Sequence, residues 1–169
     1  MFLKEKFQED LKNSLKEKNE IVVSVLRMFL AAVSNKETEK RTKIWKQKPD
    51  LKPEELEKES QLTSEELIEV VSSEIKKRKE AILEFGKGKR EDLVKKEKAE
   101  MEILQKYLPE QLSEEEIKKL AKEAVEKVGA KEIKDMGKVM AELMPKVKGK
   151  ADGALVSKIV KKLLIPKNE

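Results

Sequence analysis

The sequence contains no cysteine and no histidine, and it has few aromatic residues, glycines and prolines. Without cysteine there is no disulfide, no thiolate nucleophile and no zinc–thiolate site. Without histidine the chain lacks the side chain best suited to acid–base catalysis near neutral pH, and also the commonest metal ligand. Only Ser, Thr, Lys, Asp, Glu and a single tyrosine remain as groups for catalysis.

The remaining groups do not stand in catalytic or cofactor-binding patterns. No serine lies in a Gly-x-Ser-x-Gly turn. Gly86-Lys-Gly-Lys89 lacks the spacing of a phosphate loop, so a helix terminator explains it better than a nucleotide site. The acidic run 114–116 complements the dipole at a helix start, and no oxygen-ligand loop pattern is present. We therefore expect a non-enzymatic chain with no metal and no cofactor.

Charged residues make up 43% of the chain and are mostly lysine and glutamate, which favour helices. Apolar residues recur at helical spacing almost throughout, and no strand pattern appears. These features predict an all-α fold. An N-terminal helical domain with long amphipathic helices is expected over residues 1–109. The first of its apolar stripes is Leu3, Phe7, Leu11 and Leu15.

Three further features of this domain give specific expectations. Residues 43–62 contain Pro49 and Pro53 and many charges, which indicates a charged, solvated connection. Thr63 and Glu66 form a capping-box pattern that opens a helix expected to end with a left-handed glycine within residues 86–88. Arg78 and Lys79 on this helix are expected at the solvated surface.

The tail domain is expected over residues 113–169. A second capping box, Ser113 to Glu116, is followed by three apolar stripes at helical spacing, with Gly129 closing the first helix and Asp152 capping the third. Three stripes of similar length predict a three-helix bundle, and domains of about 55–65 residues can fold alone.

The positive charge of the chain belongs to this tail. Residues 1–129 balance 29 basic against 29 acidic side chains, whereas residues 130–169 hold ten lysines against five acids. The whole net charge of +5 therefore lies in the last forty residues. A balanced body with a basic tail indicates an anionic partner for the tail.

The lysines concentrate in one glycine-containing segment, residues 146–153. Lysines at alternate positions beside glycines and a helix N-terminus suit phosphate groups. The same residues would also serve as an ordinary soluble turn, and the pattern leaves both interpretations open. Because no aromatic or arginine follows Tyr107, any nucleic acid would be held by its backbone and shape.

Four segments follow one another in a recognisable order: Leu26-Arg-Met28, Ile103-Leu-Gln-Lys-Tyr-Leu-Pro-Glu-Gln-Leu-Ser113, Asp135-Met-Gly-Lys-Val-Met140 and Pro145-Lys-Val-Lys-Gly-Lys-Ala-Asp-Gly153. In this order they resemble the YqeY family. The resemblance spans most of the chain and is weakest over residues 43–62. It implies an all-α protein whose tail is similar to the C-terminal domain of the B subunit of the tRNA-dependent amidotransferase.

In that enzyme the tail helps to hold tRNA, and catalysis lies in domains that have no counterpart here. The family resemblance also brings the label of a carbon–nitrogen ligase with glutamine as amide donor, which the residue inventory argues against. The resemblance therefore implies a non-catalytic tRNA- or RNA-binding accessory protein. The resemblance carries over Lys146, Lys148, Gly149, Lys150 and Gly153 as candidate contacts. Lys138, Lys158 and Lys161 of the same basic tail complete the candidate set.

Two other functions remain open. Helices within residues 64–107 could dock on an amidotransferase or aminoacyl-tRNA synthetase subunit, which would make the chain a protein–protein adaptor. Residues 135–164 could form a DNA-binding helix-turn-helix, although no helix there presents Arg, Asn or Gln to base edges.

The expected location is the cytoplasm. The first residues are charged from Lys4 onward, which is unlike a signal peptide. The most apolar run, 21–33, is shorter than the roughly 20 residues that span a membrane. No membrane association is therefore expected.

Overall fold

A computed structural model describes residues 3–165, which form helices joined by short turns, with no strand among them. The all-α prediction is confirmed. The chain divides into two compact units, Met1–Leu108 and Pro109–Glu169, and each has its own apolar core. No helix within residues 3–165 is both long and apolar enough to cross a membrane.

The first unit is built around one long helix and a pair of helices that pack on each other. Its helices within residues 3–108 are α1 Leu3–Lys16, α2 Glu20–Gln47, α3 Pro53–Ser60, α4 Ser64–Lys87 and α5 Glu91–Gln105. Three stacked rings lie at the centre of the core, with Phe7 4.1 Å from Phe29 and 4.0 Å from Tyr107 between ring centroids. The Tyr107 hydroxyl donates to Asp10 Oδ2 at 2.7 Å.

The predicted stripe on α1 reaches the core only in part. Phe7 is fully buried and Leu3 and Leu11 pack beside it, whereas Leu15 is 48% exposed. A step of four residues turns a helix by about 400°, so each successive member lies about 40° further round. By the fourth member the stripe has rotated away from the core.

The expected connection over residues 43–62 is mostly helical. Helix α2 continues to Gln47, and α3 begins at Pro53. Proline suits the first helical position because its missing N–H would have no intrahelical partner there. Lys48 pairs with Glu59 of α3 at 3.0 Å, and Ser60 is buried. Pro49 thus follows the end of α2 and Pro53 begins α3. The segment is more helical than expected, but most of its side chains are exposed, as predicted.

The expectation that Arg78 faces solvent is wrong, because its side chain is only 6% exposed. It lies three and seven residues after the buried Ile75 and Val71, on the side of α4 that packs against α5. Its guanidinium donates to Glu74 Oε2 at 3.2 Å and to Glu100 Oε2 at 3.1 Å. These carboxylates compensate the charge that burial would otherwise penalise.

The end of α4 also differs from the prediction. Its cap residue Gly88 has φ −77°, and the left-handed conformation is taken one residue later by Lys89, with φ 54°. The capping box at the other end is confirmed: Thr63 Oγ1 accepts from the N–H of Glu66, whose carboxylate accepts from the N–H of Thr63.

The second unit contains the three predicted helices. They are α6 Glu114–Val128, α7 Met136–Val147, preceded by a 3₁₀ turn at Ile133–Asp135, and α8 Gly153–Leu164. The core lies between them and includes Ile117, Ala121, Val139, Leu143, Val156 and Val160. Gly129 ends α6 in the left-handed conformation, as expected. The predicted tail domain extends to residue 169, of which 166–169 lie outside the described residues.

Candidate nucleic-acid interface

The loop between α7 and α8 is a tight turn. Helix α7 ends at Val147, and the Val147 carbonyl accepts from the N–H groups of Lys150 at 2.9 Å and Ala151 at 3.0 Å. Gly149 makes this reversal with φ 73°, a left-handed conformation that glycine adopts without a Cβ clash. Asp152 then caps α8, because its side chain accepts from the N–H of Ala154 at 2.9 Å.

Residues 111–112, which precede α6, hydrogen-bond to this loop, and we therefore call it the fastened loop. The N–H of Leu112 donates to the carbonyl of Lys150 at 2.7 Å. The side-chain amide of Gln111 donates to the carbonyls of Gly149 at 2.9 Å and Pro109 at 2.8 Å. The successive carbonyls of Gly149 and Lys150 therefore both accept hydrogen bonds from the segment before α6.

The predicted contact residues fall into two groups. Five of them, Lys146, Lys148, Gly149, Lys150 and Gly153, follow one another through the last turn of α7, the loop and the first residue of α8. The other three lie away from the loop. Lys138 is eight residues before Lys146, about 12 Å along α7, and Lys158 and Lys161 lie further along α8. All six lysines are exposed, and Gly149 is half-buried.

Carboxylates pair with Lys138 and with Lys146. Lys138 Nζ lies 3.1 Å from Asp135 Oδ1, and Lys146 Nζ lies 3.4 Å from Glu142 Oε1. A hydrogen bond from Lys127 lowers the pKa of Glu142, and Lys146 lowers it further. Lys138 likewise lowers the pKa of Asp135. Both carboxylates therefore stay ionised and compete with phosphate for these lysines.

Residue patterns alone missed a second cationic surface, the groove between α6 and α8. We call it the lysine groove and define it by the residues that line it: Glu114, Lys118, Lys122, Leu155, Lys158, Ile159, Lys162 and Leu163. Its cavity has a volume of about 290 Å³. Only Lys158 was a predicted contact. One sequence feature could have revealed the groove. Each of its two helices carries a pair of lysines four residues apart, and this spacing places both members of a pair on the same helix face.

Electrostatics within the lysine groove are dominated by its four lysines. Glu114 is the single acid in its lining and bonds to Lys118 at 2.8 Å. Lys118 lowers the pKa of Glu114, and the charges of Lys162 and Lys158 lower it further. The field at Glu114 thus comes from both helices, and it favours anions.

The model of the family described as Yqey-like protein matches residues 44–164. The chain belongs to this family. The resemblance inferred from the four sequence segments is therefore confirmed, and the match covers the second unit as far as Leu164, together with most of the first.

Three similar proteins come from fungi. A protein of Pyrenophora tritici-repentis, called "Altered inheritance of mitochondria protein 41, mitochondrial", is 32% identical over 162 residues, which cover 94% of this chain and 79% of that protein. Proteins of the same name from Kluyveromyces lactis and Saccharomyces cerevisiae are 32% and 34% identical over 59% of this chain, but the match covers 45% and 44% of their lengths. These names contradict the expected cytoplasmic location, because they assign the relatives to mitochondria.

Proposed function

We propose that the second unit binds structured RNA, with tRNA as the first candidate, and that the chain acts as a non-catalytic accessory. The observation that carries this proposal is the fastened loop, which presents Lys146, Lys148 and Lys150 at the surface within five residues. Lysine ammonium groups bind phosphates as point charges, and binding releases the counterions condensed on the nucleic acid.

The amino-acid content of the second unit favours contacts with the RNA phosphate backbone over recognition of individual bases. The second unit has no arginine and no aromatic side chain, so it lacks the usual guanine reader and a stacking platform. Affinity should therefore follow the fold and charge density of the RNA more than its sequence. The resemblance of this unit to the tail of an amidotransferase B subunit makes tRNA the first RNA to test.

A triple charge reversal at the loop tests the proposal. Lys146→Glu, Lys148→Glu and Lys150→Glu together should weaken binding of total tRNA, measured by fluorescence anisotropy, by at least about tenfold, since three phosphate contacts become repulsive. The matched control reverses three exposed lysines of α5, Lys95, Lys96 and Lys98, and should retain the affinity. Equal losses in the two variants, or none in the loop variant, would refute the proposal.

The adaptor function is a second candidate, and one observation favours it. Leu83 on α4 is 64% exposed, so an apolar side chain of this helix is available for contact with another protein. A pull-down with this chain as bait should then recover an amidotransferase or synthetase subunit after nuclease treatment. Recovery that Leu83→Ser does not reduce would count against a role for this face.

A further inference from the structure

The lysine groove combines two properties that phosphate binding alone does not require. Its rim carries Lys118, Lys122, Lys158 and Lys162, and its floor is apolar. Leu155, Ile159 and Leu163 of α8 form that floor at four-residue spacing, over a length of about 12 Å. Ile159 is buried in the core, while Leu155 and Leu163 are half-buried beside it.

An apolar floor disfavours a phosphate backbone as the occupant. Phosphates covering Leu155 and Leu163 would lose water without gaining a hydrogen bond from these side chains. The loop lysines Lys146, Lys148 and Lys150 are not among the residues that line this groove. The lysine groove therefore suits a ligand that is apolar on one side and anionic at its edges.

An amphipathic helix with acidic flanks has this pattern. Helices bind grooves by inserting an apolar ridge at i, i+3, i+4 and i+7 spacing. The 12 Å floor corresponds to about two turns of such a helix. Glutamates beside the ridge would meet lysine pairs of α6 on one side and α8 on the other, so that the charges are complementary across the contact.

We propose that the lysine groove docks an acidic amphipathic helix of a partner protein. The site is separate from the RNA-binding loop, and the proposal holds whether or not the loop binds RNA. Lysine stems extend the apolar floor while their ammonium groups stay in solvent. A contact of about two helical turns would bury little surface, which would make this a transient docking site.

The test uses the full chain and a designed peptide. The probe is a helix-favouring peptide of about 15 residues with a leucine ridge flanked by glutamates. A control peptide has the same composition with its leucines distributed around the helix. Binding is measured by anisotropy at physiological salt, and the contacted amides are mapped by NMR shift changes. The ridge peptide should bind at least about tenfold more tightly than the control and shift Lys122, Leu155 and Leu163.

Charge variants then locate the site. Lys122→Glu with Lys162→Glu should weaken peptide binding about tenfold and leave tRNA affinity within about twofold, because neither lysine is in the loop. Lys119→Glu with Lys134→Glu, at exposed positions outside the groove, is the matched control and should change neither. Lys122→Gln with Lys162→Gln repeats the test if the reversal disturbs the fold.

Three results would overturn the proposal. Equal affinity for the two peptides would show that net charge alone causes the binding and that the apolar ridge has no part in it. An equal loss in the groove and control variants would place the contact elsewhere. A tenfold loss of tRNA affinity with unchanged peptide binding would make the lysine groove an RNA contact.

Discussion

At the scale of single residues, the buried polar groups of the first unit were the hardest to predict. Arginines are mostly exposed, and nothing local to Arg78 shows that Glu100, 22 residues later, lies against it. The helical spacing places Arg78 on the same face of α4 as Ile75 and Val71, which predicts that Arg78 faces the core. The charge of Arg78 suggested a solvated position, but its place on the buried face of α4 decides that it is buried.

Arg78→Met should destabilise the protein because it leaves Glu100 buried without its partner. Removing one member of a buried ion pair costs about 3–5 kcal/mol, whereas replacing both with apolar groups is often nearly neutral. We therefore expect urea denaturation to show a large loss in the single variant and a smaller one in Arg78→Met with Glu100→Leu. A double variant that loses as much as the two single variants together would contradict this coupling.

Tyr107 gives a pH-dependent prediction. Burial raises its pKa, and the hydrogen bond to the Asp10 carboxylate raises it further. A folded pKa above the unfolded value of about 10 means that this contribution to stability is complete below about pH 10 and is lost as pH rises beyond it. The free energy of unfolding should therefore fall with pH in that alkaline range.

Ultraviolet absorbance can follow this ionisation directly, because Tyr107 is the only tyrosine. The folded protein should titrate at higher pH than the protein in denaturant. Asp10→Asn should move the titration down, since it removes the neighbouring negative charge. Titration of the folded and denatured wild type at the same pH would contradict the assignment.

At the scale of elements, helix starts were predicted well because their signals are local. Thr63 and Ser113 cap their helices as the hydroxyl-to-glutamate spacing indicates. Helix ends were predicted less well, since several residues near a terminus can take the left-handed conformation, and Lys89 does so in place of Gly88. The lysine groove depends on the packing of α8 against α6, which no single segment specifies.

Two glycines of the second unit should respond oppositely to the same substitution. Gly149→Ala should destabilise by about 1–2 kcal/mol, because an L-residue is disfavoured at φ 73°. Gly137 lies within α7, and no atom outside its own helix turn and chain neighbours lies within 4 Å of an added Cβ. Gly137→Ala should therefore stabilise by up to about 1 kcal/mol. Thermal unfolding measures both, and equal signs would contradict the loop geometry.

At the scale of the whole molecule, the separation of charge was visible in the sequence. Its excess lies in residues 130–169, and the structure adds that Glu142 and Asp135 pair with Lys146 and Lys138. The count of ten lysines in this segment therefore overstates the cations available to a ligand, whereas the net charge of +5 already includes both carboxylates. The fold class could be predicted because helical spacing recurs along the chain, whereas ion pairing depends on side-chain distances that spacing does not give.

The most direct test of the RNA-binding proposal is the salt dependence of tRNA binding by the full chain. Four or five phosphate contacts predict a slope of about −4 in a plot of log affinity against log salt concentration. Replacing Lys146, Lys148 and Lys150 with glutamine should make this slope shallower by about three, because three phosphate contacts are lost. A slope that these substitutions leave unchanged, or equal affinity and slope for duplex DNA, would contradict the proposal that this loop holds RNA.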